Sequence, residues 1–234
     1  MCKQCETKPV YEFTNQRKLC VACFTSWFIK KVFYTVRKFG MIKNGDRIGY
    51  FKSEHFRAVV LEDVLKMLEK SGRIEIRKIP ARLRSQINIL DNKKTRGSYT
   101  KLALSDTTDI VANEIVEEVI KSVSSAHPPT QKQKSFKIIR PLYLFLDKEV
   151  LLYAKLRKLK FAKRDVSAIT FSKELPAHLR SQIDIKDNKK SRATLERGKS
   201  EINKLSQFLN ELETKHPEVK QAIIQGWLRL NKNN

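Results

Sequence analysis

Beyond position 23 this 234-residue chain contains no cysteine. That excludes thiol nucleophiles, sulfur relay and iron–sulfur ligation from all the remaining length. Long apolar runs are also missing. The longest, such as Pro141-Leu-Tyr-Leu-Phe-Leu146, are core-sized and fall far short of the roughly 18–20 residues of a membrane span. Met1-Cys2-Lys3-Gln4 carries no apolar h-region and no cleavage signal, so neither export nor a membrane partner is expected, and a cytoplasmic location is. Acidic residues are scarce: 25 stand against 48 Lys and Arg, a formal charge of +23. Such an excess concerns partners rather than fold. Nucleic acid leads, because phosphate neutralisation supplies most non-specific binding energy, and an acidic membrane surface or acidic protein is also compatible.

The four cysteines that are present form two CxxC pairs, Cys2-Lys-Gln-Cys5 and Cys20-Val-Ala-Cys23, with fourteen residues between them. Two such knuckles can converge on one tetrahedral Zn²⁺, with thiolates about 2.3 Å from the metal. Disulfide pairing would need a secreted context, which nothing here supports. Four thiolates close the coordination sphere, so a structural Zn²⁺ is expected rather than a catalytic one. The cations are clustered. From Arg77 to Lys101 eight of them, including Arg82, Arg84, Lys93, Lys94 and Arg96, face the single acid Asp91. A second cluster runs through Lys155, Arg157, Lys158, Lys160, Lys163 and Arg164. Both are expected to contact RNA phosphates.

Hydrophobic residues make up 41% of the chain, enough for a genuine core. Phe24, Phe28, Val32 and Val36 recur every four residues and predict an amphipathic helix, with Gly40 placed to end it. A short strand over Arg47–Phe51 follows, then a helix marked by Ala58, Leu61, Val64, Leu65 and Leu68. Residues 73–79 alternate weakly as a strand, and Leu102–Leu104 is a brief buried one. Asp109–Val123 patterns as a helix, Ser124–Lys134 as a linker, Phe136–Ile139 as a strand and Lys148–Leu159 as a helix. A last helix is expected from about Leu195 to Lys215, ending before Pro217. Strands alternating with helices argue for an α/β fold with a small parallel sheet flanked by helices. The division expected is a zinc ribbon with its basic aromatic helix over 1–40 and an α/β domain over 41–234, with its linker near 124–134. One segment occurs twice: Pro80–Arg96 reappears as Pro176–Arg192, identical at 13 of 17 positions. It reads equally as a local copying event in surface loops and as a pair of polyanion-contacting loops.

The order of these elements resembles the tRNA 2-thiolation proteins of the ATP-pyrophosphatase (PP-loop) superfamily, an adenine nucleotide alpha hydrolase-like fold. In that family a CxxC…CxxC ribbon leads through a basic aromatic helix to a strand ending in Ser-Gly-Gly-x-Asp-Ser. The segment Asp46 to Leu68 aligns with it without gaps. Ser53 falls on the first serine, but Glu54 and His55 replace the glycines, Arg57 the aspartate and Ala58 the last serine. A family Gly-His-x-x-Asp-Asp stretch is similarly worn: Ser105 and Asp106 stand for Gly-His, Asp109 keeps one acid and Ile110 loses the other. Asp109 could equally be a helix cap. Ile139–Leu142, Lys148–Ala154 and Glu201–Pro217 resemble later family segments.

A phosphate cradle needs close backbone approach, which glycine permits and Glu54 opposes by bulk and charge. ATP use is therefore not expected. Of the family's eukaryotic kinds, the chain resembles the cytoplasmic tRNA 2-thiolation protein 2 type, whose loop has decayed beside an active paralogue. The resemblance implies a degenerate, non-enzymatic subunit of a heterodimer that binds tRNA during wobble-uridine (U34) thiolation. Sulfur would come from a ubiquitin-like carrier. Two other classes stay open: a divergent thiolase or adenylating enzyme using Ser53, His55 and Asp109, and a zinc-ribbon RNA-binding protein outside thiolation.

Overall fold

A computed structural model describes residues 1–72, 74–80, 99–121, 128–132, 136–162 and 207–230. Two short antiparallel strands, β1 (Tyr11–Glu12) and β2 (Lys18–Leu19), lead into α1 (Val21–Lys38), with Cys20 at its N-cap. The four-residue spacing holds: Phe24, Phe28, Val32 and Val36 are all buried on one face. Gly40 ends α1 with φ of 54°, a left-handed conformation that favours glycine. It donates to the Arg37 carbonyl while Met41 donates to that of Val36, the double closure of a Schellman end.

The central sheet has five strands in the order β4-β3-β5-β7-β6. Strand β3 (Asp46–Lys52) lies in the middle, parallel to β4 (Ile74–Pro80) on one side and to β5 (Lys101–Ala103) on the other. β5 is parallel to β7 (Lys137–Ile139), and β6 (Thr130–Lys132) closes the edge antiparallel. The sheet is thus mostly parallel, as the alternation predicts. Gly49 of β3 serves packing: a Cβ there would lie 2.8 Å from Ile79 Cδ1 and 3.2 Å from the Tyr99 ring. The missing side chain lets that ring lie against the strand.

Helices α2 (Phe56–Lys70), α3 (Thr108–Lys121) and α4 (Asp147–Leu156) follow strands β3, β5 and β7. The chain closes with a helical segment over 207–215, here α5, and α6 (Val219–Leu230). Ile48 and Tyr50 point to one side of β3 and join the largest apolar cluster with α1, α2 and α4. Phe28 ties the ribbon helix into it, stacking on Tyr153 at 4.0 Å and 17° and meeting Phe145 at 4.4 Å. Each such buried ring contributes roughly 1.5–3 kcal/mol by removal from water. On another side α3 and α6 pack together through Val111, Ile115 and Ile224 around Tyr143.

The fold departs from the sequence reading in three places. The linker contains β6, whose Thr-Gln-Lys lacks an apolar signature because it is an edge strand held by backbone pairing with β7. α4 ends at Leu156 rather than Leu159, and Lys158 turns back with φ of 54°. Pro217 does not end the helical region: the chain turns there and starts α6, whose Ile223, Ile224, Trp227 and Leu228 repeat with helical period. The internal repeat and the start of the expected last helix lie outside the described residues.

Candidate functional site

Cys2, Cys5, Cys20 and Cys23 come together, with all four sulfurs within 4.8 Å of one another. Cys5 Sγ is 3.3 Å from Cys20 Sγ and 3.6 Å from Cys23 Sγ, and none is in a disulfide. Thiolates about 2.3 Å from one tetrahedral ion would stand roughly 3.8 Å apart, so the donors fit a single Zn²⁺-like ion. A four-iron cube spreads its ligands over separate corners, a wider arrangement than this. Electrostatics agree. The Thr7 hydroxyl, with the Cys23 backbone N–H, lowers Cys20 to about 6, whereas the hydrogen bond to Cys20 raises Cys23 to about 12. Four thiols this close cannot all ionise without a cation between them.

The second cluster sits at the carboxyl ends of the parallel strands. The chain leaves β3 towards β4 on one side, and β5 lies on the other, so a topological switch point falls between β3 and β5. Lys52-Ser53-Glu54-His55 leaves β3 there, and Leu104-Ser105-Asp106-Thr107 leaves β5. The two degenerate motifs are therefore neighbours. His55 caps α2, its Nδ1 accepting the Arg57 backbone N–H at 3.3 Å, while its own N–H donates to Ser53 Oγ at 3.2 Å. With Nδ1 as the acceptor, Nε2 is the ring's donor nitrogen. The Ala162 N–H donates to the Glu54 carbonyl at 2.8 Å, so the segment after α4 lies over the loop.

Behind the loop, two acids and two cations alternate. Arg57 reaches Asp147 with both Nε and Nη2, the former at 2.6 Å, and Thr107 Oγ1 donates to the same carboxylate at 2.7 Å. The Asp147 N–H donates to Asp109 Oδ2 at 2.7 Å. Asp109 does cap a helix, but the helix is α4 and not its own. Its other oxygen accepts from Lys220 Nζ, which also meets Glu213 at 2.7 Å and Asn210 Oδ1 at 2.9 Å. Burial raises the Asp109 carboxyl, and Asp147 adds to this. For Lys220 burial pulls downward, but Asp109 and Glu213 prevail and hold it above its ordinary value. Beside this chain, Arg140 donates to Asp106 at 2.9 Å and to the Pro128 carbonyl at 2.7 Å.

Of the predicted site residues, the metal set and the loop set Ser53, Glu54, His55 and Arg57 are each brought together. Among the basic residues, Arg157 and Lys158 are exposed, and Arg157 is 3.6 Å from Asp63. Lys155 is half-buried, and desolvation lowers its pKa. Arg82, Arg84, Lys93, Lys94, Arg96, Lys163 and Arg164 lie outside the described residues. Lys101, counted in the first basic cluster, is instead buried and paired with Asp46. Sequence reasoning missed Thr107, Asp147 and Lys220. Asp147 had a signal, an acid opening a helix after the apolar run 141–146. Lys220 had none, because only the tertiary fold carries α6 to Asp109.

Among solved structures, the fold is similar to that of the U34-tRNA thiolase NcsA from Methanococcus maripaludis, determined with its [4Fe-4S] cluster. The TM-score is 0.65 at 20% identity, over 98% of this chain and 86% of that one. No protein-family model matches the sequence, and no curated protein matches it. The expected α/β fold is thereby shown, as one shared with that structure. One expectation is corrected. The worn loops suggested a chain that is not an enzyme, whereas the matched protein is a thiolase whose fold extends over nearly all of this one. The altered loops are local; the surrounding fold is one that a thiolase also has. Among the described residues no helix is long and apolar enough to cross a membrane.

Proposed function

We propose that this chain is an enzyme of tRNA thiolation that acts at the wobble uridine. The observation that carries the reading is the fold match to a U34-tRNA thiolase over 98% of the chain. The charge of +23 supports tRNA as the substrate. The cysteine cluster supports a structural Zn²⁺ that fixes the ribbon against the body.

The crevice between β3 and β5 is where the uridine is handled. Once a nucleotide has activated the uridine, the C2–S bond forms as the C2–O bond breaks and the oxygen departs on the nucleoside monophosphate. The groups offered at the crevice mouth to that departing phosphate are the His55 imidazole and the Ser53 hydroxyl. His55, fixed through Nδ1 by the Arg57 N–H, donates a hydrogen bond through Nε2 to that departing phosphate. Ser53 fixes the loop through the His55 N–H. No thiol remains outside the metal set, so sulfur arrives on a separate carrier, by resemblance a ubiquitin-like protein. Glu54, His55 and Arg57 form no glycine cradle, and the nucleotide that activates the uridine is held on a glycine-bearing paralogue in a heterodimer. The chain thus corresponds to the tRNA 2-thiolation protein 2 kind, with its own contribution to the chemistry. Arg157 and Lys158, with Arg82, Arg84, Lys93, Lys94, Arg96, Lys163 and Arg164, bind tRNA phosphates.

The test is complementation of a depleted cell with His55→Ala. With His55 as a hydrogen-bond donor to the departing phosphate, its loss slows 2-thiouridine formation about a hundredfold or more while tRNA binding persists. Full restoration of 2-thiouridine by His55→Ala would remove it from the chemistry.

A further inference from the structure

The outward face of α1 takes no part in either cluster described above. The helix has four cations, Lys30, Lys31, Arg37 and Lys38, and no acid. Its buried face is Phe24, Phe28, Val32, Thr35 and Val36. At 3.6 residues per turn, Lys30, Phe33, Tyr34, Arg37 and Lys38 fall within an arc of about 140° on the opposite side. Phe33 is 38% exposed and Tyr34 50% exposed, two of the large apolar side chains left in water among the described residues. Lys38 Nζ stands 5.6 Å from the Tyr34 ring centre. Lys31 turns inward to Glu149, but Lys30 and Arg37 have no ion-pair partner among the described residues.

Exposed rings beside unpaired cations select among partners. A second copy of a chain carrying +23 would meet this face with like charge, which disfavours self-association. A basic rim around stacking rings suits a polyanion with accessible π faces. Paired RNA hides its base faces, whereas single strands offer both base faces and phosphates.

We propose that Phe33 and Tyr34 form a stacking platform for unpaired bases of RNA, with Lys30, Arg37 and Lys38 holding the flanking phosphates. It deepens the reading that this chain handles tRNA, and rests on it for the biological ligand: the unpaired nucleotides of the tRNA dock on α1. Stacking gives affinity without demanding a sequence, and the cations supply the salt-dependent part.

The test uses the full chain, a fluorescein-labelled single-stranded RNA of mixed sequence and a blunt-ended RNA duplex, with binding followed by anisotropy. Phe33→Ala/Tyr34→Ala weakens single-strand binding about tenfold or more, leaves duplex binding unchanged and keeps the salt slope. Phe33→Leu/Tyr34→Leu, which keeps apolar area but removes the rings, shows the same loss. Lys30→Ala/Arg37→Ala instead flattens the slope of log affinity against log salt by about 1.4 for the single strand. Parental affinity in the alanine pair, or retention by the leucine pair, overturns the platform. So does sedimentation showing a dimer of the parent that the alanine pair dissolves, which makes the face a protein interface. The proposed function fails separately: unchanged cellular 2-thiouridine would sink thiolation and leave a measured stacking platform standing.

Discussion

The cysteine cluster and the crevice are both dense groups of chemistry-bearing side chains, yet they are filled in opposite ways. In the ribbon, four potential anions crowd one point, their sulfurs all within 4.8 Å of one another. In the crevice, Asp147 and Asp109 are each matched by a cation, Arg57 and Lys220, and by a helix or hydroxyl donor. The first arrangement needs an ion from outside; the second has supplied its own. The difference separates a donor set that an external cation would complete from one whose charges are paired internally.

The contrast predicts effects of different size. Metal removal is the largest. Structural Zn²⁺ in comparable thiolate sites contributes about 10–16 kcal/mol of apparent binding energy. Chelation, or Cys20→Ser, should release about one metal per chain and expose the Phe24 and Phe28 face of α1, seen as a fall in melting temperature together with loss of metal by elemental analysis. A cluster that holds no metal when purified under reducing conditions would end the contrast at once. Next comes Lys220→Met, which leaves Asp109 buried beside Asp147 without its cation. The expected cost is about 3–5 kcal/mol by denaturant titration. Replacing Asp109 by Asn in the same background should recover part of that loss, because it removes the uncompensated charge. If the two changes were additive, the pair would not be coupled.

Phe28→Ala is expected to cost a similar or slightly smaller amount, about 3–5 kcal/mol, because it opens a cavity between α1 and α4 against Tyr153 and Phe145. It should leave metal content untouched, which separates core packing from ligation. His55→Ala is the smallest change in stability, at most about 1 kcal/mol for a lost cap. Its effect falls on activity instead.

The meeting of Cys2, Cys5, Cys20 and Cys23 was legible from their CxxC spacing, which is the spacing a single metal ion would need. The helices α1 to α4 were legible from their apolar period, and the parallel sheet from the alternation of elements. Edge strand β6 was not, since Thr130–Lys132 is held by backbone pairing and shows no side-chain pattern. Helix α6 carried a readable period and was obscured by Pro217, which marks a turn between helices rather than their end. In the crevice, sequence located Ser53, His55, Arg57 and Asp109 but gave no hint that Arg57 would span to Asp147. Long-range charge pairing depends on which helix N-termini converge, and that is a property of the fold. The same limit explains the corrected expectation about enzymatic activity. Motif wear is visible residue by residue, while a frame shared with a thiolase is visible only in three dimensions.

The most direct measurement is the level of 2-thiouridine at the wobble position of bulk tRNA after this protein is depleted. A role in thiolation predicts a clear drop, restored by the parental chain and not by His55→Ala. An unchanged level would contradict it, and would leave the ribbon and the basic surfaces to a general RNA-binding role.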